Sequence, residues 1–311
     1  MSLSSWPDWI SDFHLLNTLD LSLNPLNSIP DNAFNNLKYS LLHLYLSGTG
    51  LTHIPKALSI LTNLTSLDLN NNNFTDTSEF TGITASTLSE SLSYIDLNSC
   101  GLTRMPNFSN FMRLDTIILS NNRISDVPTG SLPSSLTSVY CLNNSLSSVP
   151  EDVASMSRLS VLDLSYNRIT GIETDSLPSS LTYLRLDINN VTIITNTTFR
   201  NLNLLSTLDL SFNPISEISP AAFSDLVSLE SLNLLGSHLT EIPLALTRLN
   251  PDIHLYFTTT EPLSCPCPAP QVLIKWASAV GTPTVFQYFC GNGQKAKDYL
   301  SGQCGQSLAA A

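Results

Sequence analysis

Hydrophobic residues along the chain follow one recurring pattern, L-x-x-L-x-L-x-x-N-x-L, which opens at Leu16, Leu41, Leu64, Leu92, Leu114, Leu136, Leu159, Leu181, Leu205 and Leu229. Successive openings lie 22 to 28 residues apart, the period of a solenoid in which each coil is one supersecondary unit. The fullest copies read Leu159-Ser-Val-Leu162-Asp-Leu164-Ser-Tyr-Asn167-Arg-Ile169 and Leu205-Ser-Thr-Leu208-Asp-Leu210-Ser-Phe-Asn213-Pro-Ile215. In the L-x-L core the leucines point to one side of a short strand and the residue between them to the other. A single coil cannot shelter its own leucines. Stacking buries them and sets each strand parallel to the next, at roughly 4.8 Å per strand. With a degenerate last strand near Ile253 to Phe257, the pattern predicts about eleven strands over a stack on the order of 50 Å.

The asparagine of the pattern turns the chain inward after the strand, where its amide has to satisfy backbone groups that would otherwise be buried unpaired. Asn24, Asn72, Asn122, Asn144, Asn167, Asn189 and Asn213 hold that slot, and Thr49, Cys100 and Ser237 replace it. The return segments carry proline followed by Phe and Leu, as in Ile29-Pro30 with Phe34 and Leu37, or Ile218 with Pro220, Phe223 and Leu226. Proline forbids a long helix there, so short 3₁₀ turns are expected, with Phe34, Phe111, Phe199 and Phe223 as a packing spine. The longest repeat holds a Ser/Thr-rich insertion around Thr75 to Ser91, which reads as a mobile loop or, alternatively, a recognition loop. The expected fold class is α/β: a right-handed solenoid of horseshoe form, with a parallel β-sheet on the concave face and loops and short 3₁₀ turns on the convex face. Its expected divisions are an N-terminal flank at 1–15, repeats at 16–258, a cysteine-rich cap at 259–304 and a tail at 305–311.

Composition narrows the partners. The chain has 311 residues and 42% hydrophobic content, ample for a large core, but only 12% charged residues and a net charge of −12. That balance disfavours a polyanion such as nucleic acid. No run of about 18 apolar residues is present, so no membrane span is expected in this chain. Its first residues lack the basic and apolar regions of an export signal, and Ala309 to Ala311 read as a cloning remnant. Four of the six cysteines, Cys265, Cys267, Cys290 and Cys304, crowd the C-terminal end, which points to a local disulfide framework in an oxidising compartment. Spacing alone leaves three connectivities open, and metal binding is the other reading of Cys265-Pro-Cys267.

From Leu16 to about Phe257 the repeats resemble the extracellular typical-type leucine-rich repeats. The tail, Pro262-Leu-Ser-Cys265-Pro-Cys267 with Trp276, Cys290 and Cys304, resembles the cysteine-rich C-terminal flanking module of secreted and receptor proteins of that kind. The resemblance implies Cys265 paired with Cys290 and Cys267 with Cys304. The last repeat exposes an apolar end and a strand edge that Trp276, Val272, Leu273 and Ile274 are expected to cover, with a helix near Pro270 to Val280. The segment with Trp6, Trp9, Ile10 and Phe13 has the bulk of an N-terminal cap but lacks the cysteines of many such proteins. Leu132-Pro-Ser-Ser-Leu136 and Leu177-Pro-Ser-Ser-Leu181 resemble the Leu-Pro linkers of bacterial effector repeats, which argues less strongly than the cysteine-rich tail.

Candidate chemistry is sparse. His14, His43, His53, His238 and His254 are scattered, and neither a phosphate loop nor a nucleophile elbow occurs, so no catalytic residue, metal or cofactor is expected. Cys100 and Cys141 read as buried inert thiols roughly 10 Å apart, too far for a disulfide. Asp20, Asp68, Asp96, Asp163 and Asp209 form a column between the strand leucines that reads as solvated surface or as an acidic face for a basic partner. Residues projecting from the concave sheet include His43, Tyr45, Tyr94, His254 and Tyr256. Tyr140, Tyr166, Tyr183, Arg185 and Phe212 are expected to form a ligand-binding patch, since Tyr and Arg are enriched in binding hot spots. Glycosylation sequons occur at Asn63, Asn73, Asn107, Asn143, Asn190 and Asn196. The expected function is non-catalytic recognition of a protein or peptide by an extracellular ectodomain or secreted protein, monomeric or weakly dimeric. A structural or adhesion module that binds itself is the alternative.

Overall fold

The computed structural model describes residues 2–74, 80–84, 86–280, 285–286 and 289–303. Two compact units divide it, Met1–Leu146 with Pro150–Leu162 and Ser147–Val149 with Asp163–Ala311. The first unit carries β1 (Thr18–Asp20), β2 (His43–Tyr45), β3 (Ser66–Asp68), β4 (Tyr94–Asp96), β5 (Thr116–Ile118) and β6 (Ser138–Tyr140). Each pairs in parallel with the next, and the register sets Leu19, Leu44, Leu67, Ile95, Ile117 and Val139 in one buried column. β7 is Val161–Asp163; Val161 donates its amide to Thr137 and, farther along, Leu164 donates to Arg185.

The second unit carries β8 (Tyr183–Arg185), β9 (Ile193–Ile194), β10 (Thr207–Asp209), β11 (Glu217–Ile218), β12 (Ser231–Ser237), β13 (His254–Thr259) and β14 (Val285–Phe286). β8, β10, β12, β13 and β14 pair in parallel, in that order, with Leu184, Leu208, Leu232 and Leu255 in the buried column. β9 and β11 form a separate parallel pair on the return segments. The last strand expected near Ile253 to Phe257 is therefore β13, and β14 adds a strand that the repeat pattern does not announce.

The return segments behave as proline dictates. Short 3₁₀ helices at Lys56–Ile60, Glu151–Ser155 and Leu244–Arg248 each start directly after a proline, at Pro55, Pro150 and Pro243. Phe34, Phe111, Phe199 and Phe223 are all buried, as the repeats predict, with Phe199 and Phe223 stacked at 6.2 Å. A second aromatic run was hidden from the repeat pattern: Phe74, Phe80, Phe108 and Phe111 meet edge to face in sequence at 5.2 to 6.1 Å. Phe80 belongs to the long insertion. Where described, that insertion is not a mobile loop, because α1 (Thr81–Thr84) and α2 (Leu88–Ser91) fold onto the coil and bury Phe80, Ile83 and Leu88. Burying three apolar side chains offsets the ordering of the extra chain.

Each turn after a strand is held by two devices. The first is the asparagine amide. Asn213, 1% exposed, accepts the Val191 amide at 3.0 Å from the preceding coil. It donates to the carbonyls of Leu186 at 2.8 Å and Leu210 at 3.0 Å. Asn72, Asn122, Asn144 and Asn189 repeat the arrangement. Asn24 takes the amide of Leu3 at 2.7 Å, so the N-terminal segment docks where the amide of a preceding coil docks in the other repeats. There Trp6 meets Phe34 edge to face at 5.4 Å and Ile10 is fully buried.

The second device is a left-handed residue just before that asparagine slot. Leu23, Gly48, Asn71, Ser99, Asn121, Asn143, Tyr166, Ile188, Phe212 and Gly236 all have φ between 53° and 70°. For a side chain with a Cβ this costs roughly 1 kcal/mol or more, least for Asn. Gly236 is needed twice over, since a Cβ there would lie 2.8 Å from the Phe212 ring.

At the C-terminal end α3 (Gln271–Ala279) begins after Pro270, and Leu273 and Trp276 are buried. Val272, expected to help cover the stack, is instead 48% exposed in the first turn of the helix, while Leu273 and Trp276 take the buried side. α4 (Ala296–Leu300) follows. Cys265 and Cys290 form a disulfide, which excludes the metal reading of Cys265-Pro-Cys267. Closing a sequence separation of 25 removes about 3 kcal/mol of chain entropy from the unfolded state. Cys267 is disulfide-bonded as well, and its expected partner Cys304 lies outside the described residues, as does the tail at 305–311.

If the amide ladder holds the coils together, Asn213→Ala strands the Val191 amide and two carbonyls and lowers stability by about 1–3 kcal/mol. Urea unfolding checks this through a lower midpoint, and an unchanged midpoint contradicts the structural role.

Candidate ligand-binding face

Residues between the buried leucines line the open face of each sheet. In the first unit they run His43, Ser66, Tyr94, Thr116 and Ser138 in one column and Asp20, Tyr45, Asp68, Asp96, Ile118 and Tyr140 in the next. In the second unit the columns are Tyr183, Thr207, Ser231 and His254, then Arg185, Asp209, Asn233 and Tyr256. The strands are held by parallel backbone pairing, so these side chains are presented with little left to order on binding.

The five residues expected to form one patch occupy different places. Tyr183 and Arg185 lie on β8 and Tyr140 on β6, at the strand positions the repeat predicts. Tyr166 and Phe212 do not lie on strands. Both occupy the left-handed turn slot and stand 46% and 60% exposed on the rim beside the sheet. The pattern placed them near the face because it marks that slot only as a variable position, while the backbone there has already turned away from the strand. Tyr140 belongs to the first unit, the other four to the second.

Arg185 is not a free cation. It takes the column position that aspartate holds in other coils, and its guanidinium grips Asp187 with two hydrogen bonds of 3.0 Å. A further nitrogen lies 3.6 Å from Asp163. Asp187 is buried, and burial lifts its carboxyl above the usual carboxylate range despite the guanidinium's hydrogen bonds. Arg185 thus organises a mixed-charge cluster beside Tyr183. Burial raises the Tyr183 hydroxyl, Arg185 opposes this, and Asp163 and Asp209 add to it.

The aspartate column proved to be structural as well as solvated. Asp20, Asp68, Asp96, Asp163 and Asp209 each accept the backbone amide two residues on, at 2.8 to 3.0 Å, and so close the exit from the strand. Asp163 is in fact buried. Asp68 and Asp96 are neighbours in the register, and both carboxyls are raised, chiefly by burial. Burial, helped by Asp96 and Asp68, pushes the Tyr94 hydroxyl up to about 12. Tyr94 therefore acts as a neutral hydrogen-bonding surface group.

Cys100 and Cys141 are reduced and buried. Burial pushes the Cys100 thiol up to about 12, and its Sγ donates to the Leu69 carbonyl at 3.2 Å, in place of the asparagine amide. This is an inert thiol. All six sequon asparagines are exposed; Asn143 occupies a left-handed rim slot and donates its amide to Asn121 at 2.9 Å.

Two models described as leucine rich repeat match the chain, one over residues 14–74 and 179–239 and the other over 158–179. Podocan-like protein 1 of Mus musculus is 30% identical over 247 residues, which is 76% of this chain and 42% of that protein. The solved TLR13-ssRNA13 complex matches with a TM-score of 0.65 and 27% identity, covering 76% of this chain and 35% of that one. The Toll-Spatzle complex of Drosophila matches with a TM-score of 0.67 and 25% identity, covering 85% of this chain and 37% of that one. This chain spans less than half the length of each.

Two measurements probe the face. Asp68→Asn keeps the acceptor for the Asn70 amide and removes the charge. Because the folded-state carboxyl is raised, its ionisation at neutral pH weakens the native state, and protonation relieves that on acidification. The variant is expected to melt higher than wild type at pH 7, with the difference closing as the pH falls through the raised folded-state value and gone once it reaches the usual carboxylate value. Arg185→Ala leaves buried Asp187 without its partner and is expected to cost about 1–3 kcal/mol by chemical denaturation. An unaltered stability would show that the charge cluster is incidental.

Proposed function

Because this chain is a leucine-rich-repeat protein, we propose that it is a non-catalytic recognition module that takes a protein or peptide ligand on the open face of its sheet. One observation carries the reading: Tyr183 is held half-buried on β8 against the Arg185–Asp187 cluster, an aromatic anchor positioned before any ligand arrives. Aromatic and arginine side chains of this kind dominate interface energetics. Tyr140, Tyr166 and Phe212 extend the candidate contact set. The Toll-Spatzle and TLR13-ssRNA13 complexes join such proteins to different partner classes. A net charge of −12 favours a protein over a polyanion here.

The module works in an extracellular setting, as a receptor ectodomain or a secreted protein. In support, Cys265 and Cys290 are oxidised, and the asparagines of all six sequons are exposed to a glycosylating enzyme. Pairing of Cys267 with Cys304 would close the C-terminal cap in the same compartment. No described helix is long and apolar enough to cross a membrane.

The test is a binding screen of this chain against a panel of extracellular proteins, with Tyr183→Ala beside wild type and single-stranded RNA as a control. A protein ligand is expected whose affinity falls about tenfold or more in Tyr183→Ala at unchanged melting temperature. Tyr183-dependent binding of RNA overturns the partner class. A stable dimer in light scattering, broken by the same substitution, replaces the reading with self-association.

A further inference from the structure

Every repeat leaves its strand through a left-handed residue, and the two units fill that slot differently. In the first unit it holds Leu23, Gly48, Asn71, Ser99, Asn121 and Asn143, of which five are small or amide residues suited to the conformation. In the second unit three successive coils place Tyr166, Ile188 and Phe212 there, before Gly236. Aromatic and β-branched residues are the poorest choices for positive φ. The slot also exposes them: Tyr166 and Phe212 are exposed and Ile188 is half-buried. Two separate costs, backbone strain and apolar exposure, thus fall together on three successive coils, whereas the first unit bears both at Leu23 alone. Neither is imposed by the fold, because the first unit builds the same turn with Asn and Ser. Strain retained without structural need is a mark of function.

The backbone makes the three residues a ridge. The amides of Tyr166, Ile188 and Phe212 each donate to the next coil, at Asp187, Ser211 and Leu235, so the residues stand one strand spacing apart. The Phe212 ring packs against Gly236, where a Cβ would lie 2.8 Å from it.

We propose that Tyr166, Ile188 and Phe212 form a docking ridge for an apolar segment of a partner protein, with Lys or Arg flanking that segment. Charge selects this occupant. The second unit has twelve carboxylates against seven basic side chains, and the whole chain carries −12. A second copy of the chain would bring the same charge to the contact, whereas a cationic segment is attracted. Beside the ridge Asp163 and Asp187 are buried and paired with Arg185, so on the sheet the half-buried Asp209 is the carboxylate open to the partner, and Arg168 is exposed. The inference rests on the reading of the chain as a protein-binding module and adds a rim surface to it.

The probe is a random peptide library displayed on phage, selected on the full chain. Enriched peptides are expected to pair aromatic or aliphatic residues with Lys or Arg. A triple variant, Tyr166→Asn with Ile188→Asn and Phe212→Asn, keeps a residue type that accepts the left-handed turn. It is expected to bind those peptides at least about tenfold more weakly, without a fall in melting temperature. A fall in melting temperature would make the three residues structural and overturn the proposal. So would selected peptides that bind the triple variant as well as wild type. If those peptides instead lose binding to Tyr183→Ala, the ridge fails while the sheet-face reading stands; if wild type enriches no peptide, both fail.

Discussion

The structure depends on one recurring exchange of hydrogen bonds. A coil that buries its leucines also buries the amides and carbonyls where the chain turns off the strand, and such groups are costly to leave unpaired. One asparagine amide, with an acceptor and two donor hydrogens, settles this across the boundary between coils, as Asn213 does for Val191, Leu186 and Leu210. The substitutes are instructive. Thr49 reaches only the Leu46 carbonyl and the Asn72 side chain, and Cys100 offers a weak sulfur donor to Leu69. The amides such an asparagine would accept turn to backbone carbonyls instead, Leu26 to Asn24 at 2.7 Å and Phe74 to Cys100 at 2.8 Å.

The same turn imposes the left-handed residue and the aspartate that caps the strand exit. The sheet face is therefore partly spoken for before any ligand is considered. Aspartates that look like free surface charge are half-committed to backbone amides, and Arg185 is committed to Asp187 and Asp163. What remains available is aromatic: Tyr45, Tyr94, Tyr140, Tyr183 and Tyr256 on the strands, and the exposed rings of Tyr166 and Phe212 on the rim. A surface with neutral rings set among restrained charges suits recognition by shape and by a few directed hydrogen bonds.

Within the returns, strength comes from aromatic packing rather than helix. Proline directly before the 3₁₀ turns at Lys56–Ile60, Glu151–Ser155 and Leu244–Arg248 sets the chain direction, and the phenylalanines are buried beneath the returns. The long insertion shows how flexible this layer is in sequence: a Ser/Thr-rich stretch still becomes part of the core once Phe80, Ile83 and Leu88 are available to bury.

The strand positions, the parallel order, the asparagine ladder and the phenylalanine spine follow from residue spacing alone, because each is a local rule repeated until it becomes a structure. Tertiary structure decided what spacing cannot express. Tyr166 and Phe212 left the strand face because a positive φ rotates the chain, and no one-dimensional pattern carries a dihedral angle. Arg185 lost its freedom because the turn after β8 folds Asp187 back onto its guanidinium and the coils bring Asp163 to 3.6 Å from it. The role of the insertion turned on whether its few apolar residues could reach a neighbouring phenylalanine, which depends on the distance between coils and not on composition.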